Sequence, residues 1–184
     1  MDAEPGRRIA EGEAIGVERH ADVSQVVIAG IRRGGVPVAA ALAVAVDELR
    51  PDQHIGLAAI DVVGYRDDAP RAMARLHGTW APLGRRQDIA DTQTAPAIED
   101  AVIVLVDDVM QTGRTLRAAL DAVAAHGRPA AMESLVLIDR GHRELPLRPT
   151  YVGKNVPVGE GEWVEVRLWD VAPEAVGAYL VRRA

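Results

Sequence analysis

The stretch from residue 102 to residue 115, Val-Ile-Val-Leu-Val-Asp-Asp-Val-Met-Gln-Thr-Gly-Arg-Thr, limits what this chain can fold into more than any other. Its first five residues are apolar and mostly β-branched. Such a run reads as a strand covered on both faces, the condition of a strand inside a parallel sheet. Asp107 and Asp108 follow at its carboxyl end. In open α/β sheets ligands collect just beyond that end, so the paired acids are expected to face a crevice rather than the core. Their oxygens can accept hydrogen bonds from vicinal hydroxyls.

The chain then turns through Gln111, Thr112 and Gly113 into a segment where Leu116, Ala119, Leu120 and Val123 recur at helical spacing, with Gly127 as a stop after His126. Free backbone N–H groups and the positive end of the dipole at such a helix start suit a phosphate. Thr112 and Thr115 add hydroxyls, and Gly113 lets the backbone come close. Hydroxyls on two carboxylates and a phosphate on the next turn together describe a 5-phosphoribosyl group. The segment resembles the signature for 5-phosphoribosyl 1-pyrophosphate (PRPP) of the type I phosphoribosyltransferases. Taken alone, the same residues also fit a buried strand with two solvated acids ahead of an ordinary helix. Response-regulator receivers carry acids at strand ends too, but have no use for a Thr-Gly-Arg-Thr turn.

The earlier half of the chain supports a second anion loop. Residues 26–29 read as a strand, 30–35 as a turn containing Ile31, Arg32, Arg33 and Gly34, and 36–49 as an alanine-rich helix ending before Pro51. Flexible backbone with two arginines at the crevice suits a pyrophosphate. Another strand is expected at 55–63, followed by Tyr65, Arg66, Asp67 and Asp68 as loop candidates. Residues 69–97 are polar and punctuated by Pro70, Pro82 and Pro96, with arginines at 71, 75, 85 and 86, and are expected to form a flexible flap over the site. A strand at 134–138 leads into a basic segment, and Val164, Val166 and Leu168 alternate with Glu165 and Arg167 as a half-exposed strand. Residues 1–22 carry Gly6, Gly12 and Gly16, so any helix there is weak. These elements predict a doubly wound, mostly parallel α/β sheet in one domain over residues 1–184, with a small carboxyl-terminal cap.

Composition narrows the chemistry. With no cysteine, the chain has no disulfide, thiolate zinc site or cysteine nucleophile, so a metal is left to oxygen or imidazole. Nowhere do eighteen uncharged apolar residues run together, so no membrane partner and a cytoplasmic location are expected. A net charge of −6 argues against general attraction to nucleic acid but leaves room for a local basic face. None of the five histidines is placed as a general base. Substitution at an anomeric carbon proceeds through a cation-like state and is catalysed mainly by position and electrostatics. Mg²⁺ is the expected cofactor, bridging pyrophosphate and ribose oxygens, with Asp107 or Asp108 reaching it directly or through water.

Four segments together resemble one family: residues 30–39; Tyr65-Arg66-Asp67-Asp68; the acid-pair signature; and Asp139-Arg140-Gly141-His142-Arg143-Glu144-Leu145-Pro146-Leu147-Arg148 with Tyr151-Val152-Gly153-Lys154-Asn155. It is the PyrR family of the type I phosphoribosyltransferase superfamily, regulators of pyrimidine-operon attenuation that also have uracil phosphoribosyltransferase activity. The resemblance implies that uracil and PRPP give UMP and pyrophosphate, and that a pyrimidine-operon mRNA hairpin binds more strongly with UMP or UTP. It also implies a homo-oligomer, dimer or higher.

By that resemblance, Asp107, Asp108, Arg32 and Arg33 are catalytic, the acids hold the ribose, Gln111, Thr112, Gly113, Arg114 and Thr115 hold the 5-phosphate, and Ile31 to Gly34 form the pyrophosphate loop. Asp139 and Arg140 lie near the base, and His142, Arg143, Arg148 and Lys154 face RNA. Four cationic or potentially cationic side chains within thirteen residues can contact phosphates and unpaired bases. The chain departs from the family where Arg33-Gly34-Gly35 replaces Thr-Arg-Gly, where Gln111 replaces an aromatic residue, at Arg8-Ile9-Ala10-Glu11-Gly12, which lacks the usual histidine, and at Trp169, where an acid is usual. Two alternatives stay open: a nucleotide-sensing RNA-binding regulator with little or no catalysis, and a transferase for another base.

Overall fold

The computed structural model describes residues 25–51, 55–67, 79–82, 95–168 and 176–182. In chain order the elements are β1 (Val26–Ile31), α1 (Gly35–Leu49), β2 (Ile55–Ile60), a 3-10 turn (Val63–Tyr65), β3 (Trp80–Pro82), β4 (Val102–Met110), α2 (Arg114–His126), β5 (Ala131–Asp139), β6 (Tyr151–Asn155), β7 (Glu162–Arg167) and β8 (Gly177–Arg182). Six strands form one sheet in the order β3-β2-β1-β4-β5-β6, parallel throughout except for β3 on β2. β7 and β8 form a separate antiparallel pair.

The uninterrupted apolar runs are explained by burial on both faces. Alternate residues of a strand point to opposite sides of the sheet. Val26, Ile28, Val102, Val104 and Val106 pack with Val38, Ala39, Leu42, Ala43 and Val46 of α1. Their neighbours Val27, Ala29, Ile31, Ile103 and Leu105 pack instead with Leu116, Ala119, Ala122 and Val123 of α2. Neither face has room for a polar residue, and none occurs until Asp107. From β1 the chain winds outward through α1 to β2, and from β4 it winds the other way through α2 to β5. The winding therefore reverses between β1 and β4, which opens a crevice at their carboxyl ends.

Several boundaries differ from the sequence reading. β1 runs two residues further than expected, because Gly30 and Ile31 still pair with Ala59 and Ile60. Ile31, expected in the turn, is thus a core residue at 1% exposure. β4 continues to Met110, so the acids ride on the strand itself, with Asp107 beside Val136. β2 stops at Ile60 instead of reaching residue 63; the Val63 N–H donates to Asp61 Oδ1 at 3.0 Å and enters the 3-10 turn.

Part of the expected flap is sheet: Trp80–Pro82 forms the edge strand, and the Trp80 indole N–H donates to the Pro96 carbonyl at 2.9 Å. Strands β6 and β8 also escape the sequence reading, since five and six residues of mixed polarity show no sustained alternation. The expected weak amino-terminal segment, Asp68, most of the flap and Trp169 lie outside the described residues. Among the described residues no helix is long and apolar enough to cross a membrane.

Candidate active site

The pleat sends the two acids in different directions. Asp107 faces a cavity of about 460 Å³ on the α2 side, whose lining includes Arg66, Gln111, Thr112, Gly113, Arg114, Thr115 and Arg140. Asp108 lies beneath the 32–35 loop. A Cβ added at Gly34 would stand 2.2 Å from Asp108 Oδ2, and one at Gly35 would stand 2.0 Å from the Val106 carbonyl oxygen. At Gly35, against the β4 backbone, only glycine permits this close approach. The acids are tied to the backbone as well: the Asp108 N–H donates to Asp107 Oδ1 at 3.1 Å and the Val109 N–H to Asp108 Oδ1 at 2.7 Å. Burial pushes the Asp107 carboxyl well above the usual carboxylate range, and the neighbouring Asp108 charge pushes the same way. The Asp108 N–H and the Arg66 charge oppose both without cancelling them.

The 111–115 turn is the start of α2. Gly113 caps the helix in the left-handed region at φ +91°, a conformation that disfavours any side chain. Gly113 itself offers no capping side chain, so this helix start lacks the usual N-cap bond. The Arg114 N–H donates to Thr112 Oγ1 at 3.3 Å, and Arg66 Nη1 donates to Thr115 Oγ1 at 3.0 Å. The Thr112 carbonyl accepts from the N–H groups of Glu144 and Leu145, at 3.1 and 3.0 Å. The Arg114 side chain turns sideways, onto Glu144 and Asp67.

The 32–35 loop has a different character. The Arg32 N–H donates to the Ile60 carbonyl at 2.9 Å, which pins the backbone, while both arginine side chains are exposed. The Arg32–Arg33 peptide bond is cis. Tyr65, from the loop after β2, packs against the hydrophobic core.

After β5 the chain separates residues that the sequence reading grouped. Arg140 lines the large cavity, and its buried Nε has no hydrogen-bond partner among the described residues. Asp139 instead lines a neighbouring cavity of about 420 Å³ and accepts from the Gly141 N–H at 2.9 Å and from Arg143. Arg143 is turned inward: Nε donates to the Leu147 carbonyl at 3.0 Å and Nη1 to the Gln111 carbonyl at 2.6 Å. His142 is exposed, with Nε2 2.8 Å from the Val158 carbonyl oxygen. Arg148 and Lys154 are exposed. The sequence reading did not place Glu144 or Val164 in the large cavity, yet both line it. Nothing in the local pattern of β7 marks Val164 as facing a site 57 positions from Asp107, since only the packing of the small β7–β8 pair brings it there.

Comparison with known proteins gives the family and the fold. Residues 6–167 match the family model described as the phosphoribosyl transferase domain. The bifunctional protein PyrR of Roseiflexus sp. is 43% identical over 165 residues, covering 90% of this chain and 84% of the relative. The bifunctional protein PyrR of Chloroflexus aurantiacus is 46% identical over 151 residues, covering 82% of this chain and 76% of the relative. Among solved structures, the hypoxanthine phosphoribosyltransferase of Trypanosoma cruzi superposes with a TM-score of 0.67 at 19% identity, over 98% of this chain and 91% of that one, a likeness of fold alone.

Proposed function

The chain belongs to the phosphoribosyl transferase domain family and, within it, to the bifunctional PyrR proteins, and from that premise we propose that it converts uracil and PRPP to UMP and pyrophosphate and also regulates pyrimidine genes through their mRNA. One observation carries the enzymatic half. Asp107 opens onto a cavity bordered by the start of α2, while Asp108 lies under the glycine-paired loop that bears Arg32 and Arg33.

In this reading the N–H groups of residues 112–115 and the Thr112 and Thr115 hydroxyls hold the 5-phosphate. Asp107 accepts hydrogen bonds from the ribose hydroxyls, and Arg32 and Arg33 take the pyrophosphate. Arg140 and Val164 border the space left for the base. The new bond joins the anomeric carbon to N1 of uracil as the bond to pyrophosphate breaks. The N1 proton passes to solvent, and the electron pair of the broken bond departs with pyrophosphate. The residues act by placing charge where it develops, positive on the sugar and negative on the leaving group.

Asp107 and Asp108 are also the residues that would hold Mg²⁺. Two adjacent carboxylates, one of them held above its usual range by burial and by the other, gain from a cation beside them. That donor set is small, which suits an ion that takes most of its ligands from water and substrate. When bound, the ion neutralises charge on the departing pyrophosphate.

The regulatory half rests on the exposed His142, Arg148 and Lys154 around the loop after β5, with Arg143 as an internal strut of that surface. Assembly into a homodimer or higher oligomer belongs to the same reading. The deciding experiment is UMP formation from uracil and PRPP with Mg²⁺, run beside cytosine, orotate and the purine bases. Turnover confined to uracil is the expected result. Turnover with another base would reassign the substrate, and silence in a protein that still binds UMP would leave a nucleotide-sensing regulator. For the regulatory half, affinity for a pyrimidine-leader hairpin should rise with UMP and fall with salt; no binding at low salt would remove it.

A further inference from the structure

We infer that Arg114 is a positioning residue, whose guanidinium braces two loops across the phosphate turn and leaves the phosphate itself to backbone N–H groups. The inference rests on the reading of residues 112–115 as the 5-phosphate site. It assigns to Arg114 a task other than the direct contact that an arginine in that turn suggests.

The geometry is a three-point brace. Arg114 Nε donates to Glu144 Oε2 at 2.8 Å and Nη2 approaches the same oxygen at 2.7 Å, while Nη1 is paired with Asp67 Oδ2. Asp67 comes from the loop after β2, and Glu144 from the loop after β5. Both loops are also bonded to neighbours of Arg114: Arg66 to Thr115, the Glu144 and Leu145 N–H groups to Thr112, and Arg143 to Gln111. Every residue of the turn except Gly113 is therefore held from outside by one loop or the other. The Arg114 N–H itself donates to Thr112 Oγ1 at 3.3 Å, so holding the side chain also steadies that contact within the turn.

Charge points the same way. Asp67 and Glu144 place two negative charges beside a site meant for an anion, and like charges at that range repel. With Arg114 engaged, part of that repulsion is neutralised. A guanidinium pulled off them onto a phosphate would leave Glu144 without this partner and Asp67 with only the longer contact to Arg117 Nη1 at 3.8 Å. The three side chains are 34%, 39% and 54% exposed, so the brace is open to salt and its effect is moderate.

The test uses the full chain and four variants, Arg114→Gln, Arg114→Lys, Asp67→Asn and Glu144→Gln, measuring calorimetric affinity for UMP alongside kcat and the KM values for PRPP and uracil. The brace predicts that Asp67→Asn and Glu144→Gln each weaken UMP and raise the KM for PRPP about threefold, with Arg114→Gln about tenfold and Arg114→Lys partly restored. The kcat and the KM for uracil should stay within about twofold, because such a contact is equal in ground and transition states. The differences should shrink at high salt.

Direct phosphate contact predicts the opposite sign for the carboxylate variants, since a freed guanidinium would bind phosphate better. Unchanged or tighter binding in Asp67→Asn and Glu144→Gln, or a fall in kcat at unchanged KM, overturns the inference. These two substitutions are isosteric and lie on exposed side chains, so they keep the test readable if Arg114→Gln folds poorly. UMP affinity is read even in a wild type that makes no UMP, which separates failure of the brace from failure of the enzymatic reading.

Discussion

The two anion loops of the crevice, one after β1 and one after β4, are built on opposite plans. Around the 32–35 loop the backbone is immobilised by contact, with Gly34 against Asp108 and Gly35 against Val106, and the side chains of Arg32 and Arg33 reach into solvent. Around the 111–115 turn the Arg114 side chain is tied up by two carboxylates and Thr115 Oγ1 accepts from Arg66, so backbone N–H groups and the threonine hydroxyl hydrogens are what remain for a ligand. The contrast follows from what each loop is proposed to hold. A leaving pyrophosphate gathers charge during the reaction, and mobile cations can follow it. A 5-phosphate keeps its charge throughout, and fixed dipoles serve it without reorganisation.

The largest expected effect tests the acids that the two plans share. Asp107→Asn with Asp108→Asn should lower turnover by roughly 10³-fold, as removal of charge-stabilising groups does elsewhere, with circular dichroism unchanged. Full activity in that variant would end the mechanism. The single Asp107→Asn change carries a separate stability signature. Because the folded-state pKa of Asp107 is raised, the native state keeps a proton that the unfolded state has already lost, and stability falls as pH rises from the ordinary aspartate range through the raised value. Asp107→Asn should therefore raise Tm above that window and match wild type below the ordinary aspartate range. Equal Tm at every pH would show that burial of the charge costs nothing.

Next in size is the loss of the side chains that the first plan leaves free. Arg32→Ala and Arg33→Ala should each lower kcat/KM for PRPP by roughly 10- to 100-fold with a clear share in kcat, because the contact strengthens as pyrophosphate departs. An effect confined to KM would erase the distinction between the two loops.

The backbone half of that plan is probed by Gly35→Ala, which drives a Cβ into the Val106 carbonyl and should cost about 1–3 kcal/mol in denaturant unfolding. Gly34→Ala meets a carboxylate side chain instead, which can move, so its cost should be smaller, with catalysis suffering through Asp108.

The smallest effect separates two arginines of the basic segment. Arg143→Ala removes bonds to the Leu147 and Gln111 carbonyls and to Asp139, and should destabilise the fold by about 1–3 kcal/mol. Arg148→Ala should leave Tm unchanged, weaken RNA binding and lower its salt slope by about 1. Equal Tm values for the two variants would place Arg143 on the surface with Arg148.

Those two arginines also show where sequence reading stops. His142, Arg143, Arg148 and Lys154 form one basic cluster in the sequence, and nothing in their spacing separates a strut from a surface cation. Arg143 becomes a strut because the 140–148 loop folds back over the Gln111 carbonyl, a contact spanning 32 positions. Asp139 and Arg140, adjacent in the chain, face different cavities for a simpler reason: successive side chains at a strand end point to opposite sides. That alternation could have been read in advance, and the same holds for Asp107 and Asp108. Trp80–Pro82 could not have been, because three residues ending in a proline carry no strand signal and take their form from the free edge of β2.

By itself the sequence determined the parallel sheet, the two helices at the reversal of winding, and the meeting of an acid pair with a glycine-capped helix start. Those features are local: β-branched runs, helical spacing and turn residues act over a few neighbours and need no knowledge of the rest of the chain. The tertiary structure alone decided that Glu144 and Asp67 converge on Arg114, that Arg143 turns inward, and that Val164 lines the cavity. Each depends on the distance between loops remote in sequence, and a charged side chain takes its partner from whichever loop the packed sheet delivers beside it.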